Sequence, residues 1–263
     1  MRSSLDTGIN DFWDGCVRWN AWTALALDDL RQRYQRTVLG PLWVTIAHMF
    51  FVGGFALWSS IVMKQSLADA FLYVAAGMTV WALIANSLSE APTVFIRASS
   101  FIMSYDLPIS IQVFRAVSGQ MLTFGHNMIV YAIAVVAVGH QQGLIILMAI
   151  PGIIMLFLIF VAWTPFLAIA GARYRDLGPL ISSIIGMLII LTPIFWRKAD
   201  IPQAEWLANL NPIYHLIEIV RAPLLGYSAS AMNWYVSLGV FAVCAIASTV
   251  AYSTNRKNVS YWL

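Results

Sequence analysis

His126 and Asn127 stand side by side in the middle of an apolar run, and chemistry would be sought there first. An imidazole beside an amide inside a membrane span could relay a proton or hold a polar substrate, because polar groups are expensive at that depth. The same pair could instead hydrogen-bond between packed helices. No acid lies in that stretch to partner the imidazole, which favours the packing role. Glu90 is the other ionisable group near apolar sequence. Arg97 follows it within two turns, so an interface position suits it better than a catalytic one.

Other reactive patterns are missing. His48, His126, His140 and His215 fall in four different segments, and their spacing suggests no metal site. The sequence has no Gly-x-x-x-x-Gly-Lys-Ser/Thr loop, so no P-loop binds ATP, and it has neither His-Glu-x-x-His nor Gly-x-Ser-x-Gly. Cys16 and Cys244 are too few and too distant for a disulfide framework and read as free thiols. The acids are scattered singly, whereas an enzyme acting on polar headgroups would gather several acids and histidines near one interface.

Composition explains where such residues must sit. Of 263 residues, 60% are hydrophobic and only 10% charged, and the mean hydropathy is +0.75. Soluble domains carry roughly 25% charged residues. The chain therefore reads as an all-α integral membrane protein. Its net charge of +3 is small, and no basic stripe interleaves with aromatics, so nucleic acid is not an expected partner. Arg2, Asp6, Asp11 and Asp14 interrupt any apolar leader, so no cleavable signal peptide is expected.

The charge pattern sets the topology. Residues 10–27 are too polar to span and suit an interfacial helix with Phe12, Trp19 and Trp22 on one side and Asp11 and Asp14 elsewhere. Asp28, Arg31, Arg33, Tyr34 and Arg36 then lead into Gly40-Pro41-Leu42-Trp43. After Arg36 no charged side chain appears until Lys64. Cations just before a long apolar run mark its cytoplasmic end. Six spans are expected, over residues 38–63, 70–94, 109–138, 144–172, 177–195 and 234–254. Pro151 and Pro165 should kink the fourth. Between spans two and three, residues 97–108 suit one short helix. Between spans five and six, Pro202, Pro212 and Pro223 divide residues 197–233 into pieces too short to cross, which read as re-entrant or surface-lying helices. The excess of Lys and Arg places both termini in the cytoplasm. One membrane domain covers residues 1–263, with 1–37 interfacial, 38–254 spanning and 255–263 a cytoplasmic tail.

His48, Phe51, Phe55 and Trp58 recur at i, i+3, i+7 and i+10, one stripe along the first span. These rings could face lipid, pack on a neighbouring span, or line a path on which sugars slide by weak stacking. Glu218 and Arg221, at i and i+3, could pair on one helix. A charged pair at membrane depth should then face a dimer interior or the outer aqueous surface.

Several motifs come in an order that resembles a known family. They are Asp28-Asp29-Leu30-Arg31-Gln32-Arg33-Tyr34 with Leu39-Gly40-Pro41-Leu42-Trp43, then Arg173-Tyr174-Arg175-Asp176, then Asn211-Pro212 through Arg221 with Pro223-Leu224-Leu225-Gly226. They resemble the permease subunits of ABC exporters for cell-surface polysaccharides: O-antigen (Wzm-type), capsule (KpsM-type) and teichoic-acid (TarG-type) permeases. The resemblance implies a half-transporter in the bacterial inner membrane. Two copies would form the channel, two ATPase subunits carrying ATP and Mg would bind the cytoplasmic face, and a lipid-linked polysaccharide would pass through. It further implies roles for residues. Ser99, Ser100, Phe101, Ile102, Met103, Ser104, Tyr105 and Asp106 would form the coupling helix that meets the ATPase. Spans one and five would line the channel, so that Trp196 extends the stripe of His48, Phe51, Phe55 and Trp58. Asn211, Pro212, Glu218 and Arg221 would belong to an extracytoplasmic gate. An ABC exporter of a small molecule or drug shares this architecture, and an intramembrane lipid-sugar transferase is the rival from another class.

Overall fold

The computed structural model describes residues 4–33, 35, 39–40, 42–141 and 143–263; the side chains of 4–7, 204 and 257 also lie outside the description. Tyr34, Arg36, Val38, Pro41 and Gln142 are therefore outside it, as is the side chain of Lys257. The described residues fold into helices, with no strand among them.

Two helices open the chain, α1 (Ser4–Val17) and α2 (Trp19–Arg33). The expected single interfacial helix is thus broken at Arg18. The break lets two aromatic residues close on one ring of the bundle: Phe12 lies 5.2 Å and Trp22 5.7 Å from Phe114. Trp19 does not join them and stays exposed. Asp11, expected on the polar side, is buried.

The long elements follow: α3 (Leu42–Val62), α4 (Leu67–Glu90), α7 (Ser110–Val138), α8 (Ala149–Arg173) and α12 (Ala231–Trp262). Among the described residues, five helical stretches are long and apolar enough to cross a membrane, and these helices form their bodies. Caps in the sequence set their ends. The Ser66 hydroxyl accepts from the Asp69 amide at 3.1 Å to start α4, with Asp69 favourably placed at the positive end of the helix dipole. Gly139 ends α7 in the left-handed region, φ 70°, which glycine enters without a Cβ clash. The Ser230 hydroxyl caps α12.

Prolines shape the remainder. Pro92 sits in the 3-10 turn Ala91–Thr93 that follows α4, and the short helices α5 (Val94–Arg97) and α6 (Ser99–Ser104) come next. Tyr105 and Asp106, expected within the same helix as Ser99, lie beyond its end. Pro151 falls in the first turn of α8, where a missing N–H costs little, and so it does not kink that helix; Pro165 lies inside it. The fifth apolar run becomes helix α9 (Leu177–Leu191) and stops short of Phe195. Thr192 precedes Pro193 and leaves the helical region, φ −95° and ψ 131°. Residues 192–196 are buried without being helical. Then come α10 (Glu205–Leu210) and α11 (Pro212–Leu224). Asn211 caps α11 and Pro212 opens it; Pro223 lies in its last turn instead of dividing it.

α4 is the innermost long helix, packed by α3, α7, α9 and α11. α8 packs on α12 and α11. Two glycines set the approach of α8: a Cβ on Gly152 would strike the carbonyl of Ile219, and one on Gly171 the backbone of Pro92. α12 continues through Asn255-Arg256-Lys257, so the expected basic tail is helical. Its first turn is held to α11 by His215 Nδ1, 2.8 Å from Asn233 Oδ1.

Candidate functional site

Arg33, Arg97, Arg115, Arg173, Arg175 and Arg256 gather at one end of the bundle. Glu90, at the end of α4, lies 3.9 Å from Arg33 of α2 and 3.8 Å from Arg97 of α5, and the Gln120 amide of α7 donates to it. Arg115 of α7 donates to Asp29 of α2 at 2.6 Å. These groups surround a cavity of ≈ 510 Å³. At the same end Asp11 accepts from the Tyr252 hydroxyl and the Arg256 guanidinium, while the Ser110 hydroxyl donates to the Asp11 carbonyl at 2.6 Å. Arg173 lies over the Trp262 ring, and Arg175 donates to the Trp262 carbonyl. Glu90 is thus an ionic junction between three elements. Asp11 escaped sequence reasoning because its partners lie more than 90 residues away.

α6 projects from this end. Phe101 packs at 4.8 Å from Tyr105, and Ile102 rests on the cluster of Val94, Phe95 and Val113. Ser100, Met103, Ser104, Tyr105 and Asp106 are exposed, and Ser99 is half-buried. At the entry to α3, Asp28 pairs with Arg31 at 3.7 Å. Gly40 takes φ 54° and Trp43 is exposed. Tyr34 and Pro41 of the same expected set lie outside the described residues.

The stripe on α3 divides. His48 is buried and bonds Thr79 of α4 at 3.0 Å. Phe51 is 63% exposed and opens outward. Phe55 stacks on Phe195 at 5.2 Å, and Trp58 meets the same ring edge-on at 5.1 Å. Trp196 is buried. Phe51, Phe55 and Trp58 therefore share a flank that continues through Phe195, whereas His48 and Trp196 face inward. His126 turns to its own helix, donating from Nδ1 to the Leu122 carbonyl at 2.9 Å, and this bond is not the one between helices that the packing role called for.

Glu218 and Arg221 do pair on α11. Both are buried inside their own chain, Arg221 fully and Glu218 on the wall of a cleft. The reason is the break after α9. Arg221 donates to the Pro193 carbonyl, Tyr73 to the Trp196 carbonyl at 3.2 Å and Ser59 to the Phe195 carbonyl, while the Asn211 amide donates to the Thr192 hydroxyl at 2.8 Å. Buried carbonyls without helical partners need such donors. Close by, burial and the Glu218 carboxylate push the Tyr227 phenol above its usual range, so it remains a neutral donor.

Comparison with known proteins places this architecture. The family model described as ABC-2 type transporter matches residues 20–225. The chain belongs to the ABC-2 type transporter family. It is similar to the O-antigen export system permease protein RfbA of Klebsiella pneumoniae, 24% identical over 191 residues, covering 72% of this chain and 74% of that protein. A second Klebsiella pneumoniae protein of that name is 25% identical over the same shares. The Myxococcus xanthus protein of that name is 19% identical over 203 residues, 76% of this chain and 78% of its own. As an ABC-2 permease the chain is a multi-pass membrane transport subunit, not an enzyme, and it works with ATPase subunits. The matched span takes in α2 from its second residue, the Glu90 junction, α6 and all of α11.

Proposed function

We propose that this chain is the channel-forming subunit of an ATP-driven exporter of lipid-linked polysaccharide, O-antigen first and capsule next, in a bacterial inner membrane. The observation that carries the reading is its similarity, over about three quarters of both chains, to permeases named for O-antigen export. Two copies would enclose the channel, and two ATPase chains holding ATP and Mg would drive it. α9 would be the fifth of six spans. Its 15 residues rise about 22 Å, and the non-helical residues 192–196 would carry the chain through the rest of a core about 30 Å thick. Both termini would then lie with the arginine cluster, on the cytoplasmic side by the positive-inside rule. α10 and α11 would form the re-entrant pair. α6 would dock in the ATPase, which is supported by the exposure of Met103 and Tyr105 beside a half-packed Phe101. The exposed flank of α3 at Phe51 and Trp58 would face the channel.

The test is complementation. The chain, expressed with its cognate ATPase in a strain lacking its own O-antigen permease, should restore surface polymer, and an ATPase dead in hydrolysis should abolish it. Polymer retained inside the cell despite an assembled, hydrolysing complex would overturn the substrate assignment and leave the small-molecule exporter.

A further inference from the structure

At the end of the bundle away from the arginine cluster, separate segments enclose a cleft of ≈ 450 Å³, within the range of about 300–1,000 Å³ typical of ligand pockets. Asp69 comes from α4, His140 from the turn after α7, Arg197 from the stretch after Trp196, Tyr214 and Glu218 from α11, and Tyr227 from the loop before α12. The cleft lies within one chain and is separate from the outward flank of α3.

The charges on its lining balance, Asp69 and Glu218 against Arg197 and Lys198. Glu218 is held by Arg221. Lys198, also on the wall, bonds Asn209 at 2.6 Å and lies 3.5 Å from Glu205. Asp69 accepts from the Ser66 hydroxyl. Arg197 lies 4.9 Å over the Tyr73 ring, and its own amide donates to the Asp200 carboxylate. A free ion is therefore not what the cleft calls for. It offers donors and acceptors mixed, and one wall is apolar: Leu72, Leu225 and the half-exposed ring of Tyr227.

Two polar atoms of the lining residues remain unmatched. Arg197 Nε and His140 Nε2 are buried and find no partner among the protein atoms described. Leaving a buried donor unpaired costs about 1–3 kcal/mol. Arg197 and His140 are only partly buried as residues, so a rotation of either side chain would bring its unmatched nitrogen to a ligand oxygen in the cleft. The ligand that fits has many hydroxyls, which donate to carboxylates and accept from guanidinium and imidazole. It also has a C–H face to lie on an aromatic ring, and it carries no net charge.

We propose that this cleft binds a neutral sugar ring, a saccharide subsite outside any channel formed between two copies. Its place in transport rests on the export reading; the binding itself does not.

The test is saturation-transfer NMR on the full chain purified with its ATPase, using glucose, galactose and mannose, with glucuronate and inorganic phosphate as charged probes. Ring protons of at least one neutral pyranose should receive saturation. Arg197→Gln and Tyr227→Ala should each weaken that binding about tenfold. Tyr227 is half-exposed, so its variant should unfold at the wild-type temperature and separates loss of binding from loss of fold. No transfer from any neutral pyranose, equal transfer in both variants, or preferential binding of phosphate or glucuronate would overturn the proposal. Sugar binding with no polymer export would keep the subsite and sink the export reading; export without sugar binding would do the reverse.

Discussion

Arg221 reaches back 28 residues to donate a guanidinium hydrogen bond to the carbonyl of Pro193. The proline ends α9, the carbonyl it exposes is buried, and the arginine that meets it is itself neutralised by Glu218 one turn away. A helix break, an ion pair and a re-entrant helix are thus one unit.

Removing one member of that unit should be costly. Arg221→Met leaves Glu218 as an uncompensated buried charge, a change worth about 3–5 kcal/mol. The double variant Glu218→Gln, Arg221→Met should be milder than Arg221→Met alone. Thermal unfolding of the purified protein, followed by tryptophan fluorescence, measures both. A double variant less stable than the single would show that the charge is not the issue.

Asp11 should fasten the first helix. Asp11→Asn weakens its bonds to Tyr252 and Arg256, each worth about 1.5–3 kcal/mol when one partner is charged. Hydrogen exchange should then speed up across residues 8–17 while α4 and α8 stay protected. Unchanged protection in α1 would assign its docking to Phe12 and Phe114 instead.

Gly171→Ala should strain the joint between α8 and the turn at Pro92, since a Cβ there collides with backbone that cannot yield. Overpacking of this kind costs about 1–3 kcal/mol. The turn leads directly to α5 and α6, so ATPase stimulation by the assembled complex should fall along with stability. Wild-type stability with wild-type hydrolysis would show that α8 can back away.

Met103→Asp should spare the fold, because the side chain is 61% exposed and surface changes usually stay within about 0.5 kcal/mol. It should abolish co-purification of the ATPase. Cysteines at Ser100 or Ser104 should cross-link to that subunit. Intact co-purification, with no cross-link from either position, would place α6 on the lipid surface.

On α3 the two phenylalanines should separate. Phe51→Ala should reduce surface polymer at unchanged stability. Phe55→Ala should also lose its stack on Phe195, worth about 1 kcal/mol. Normal export from both, at matched expression, would remove this flank from the sugar path.

Most of the architecture was legible in the sequence because apolar length and capping residues are local signals. Ser66, Gly139 and Asn211-Pro212 bound helices as their types predict. The face of a residue was not legible where a distant partner decides it. Periodicity put His48 on one stripe with Phe51, yet Thr79 of α4 draws it inward. Hydropathy carried the fifth span on to Phe195, whereas Pro193 ends the helix and leaves carbonyls that Tyr73, Ser59 and Arg221 must satisfy. The spacing of Glu218 and Arg221 correctly gave a pair; only the fold could say that it points into its own chain.

α12 is one unbroken helix of 32 residues, about 48 Å long. Near its end Arg256 is tied to Asp11 on α1, and near its start Asn233 is tied to His215 on α11. No proline or capping break lets it flex between these two attachments. It is therefore a lever arm. Arg256 and Asn233 are 23 residues apart, so a tilt of about 5° at the arginine displaces the asparagine by about 3 Å, and movement of the N-terminal helices would arrive at α11 as a push of that size.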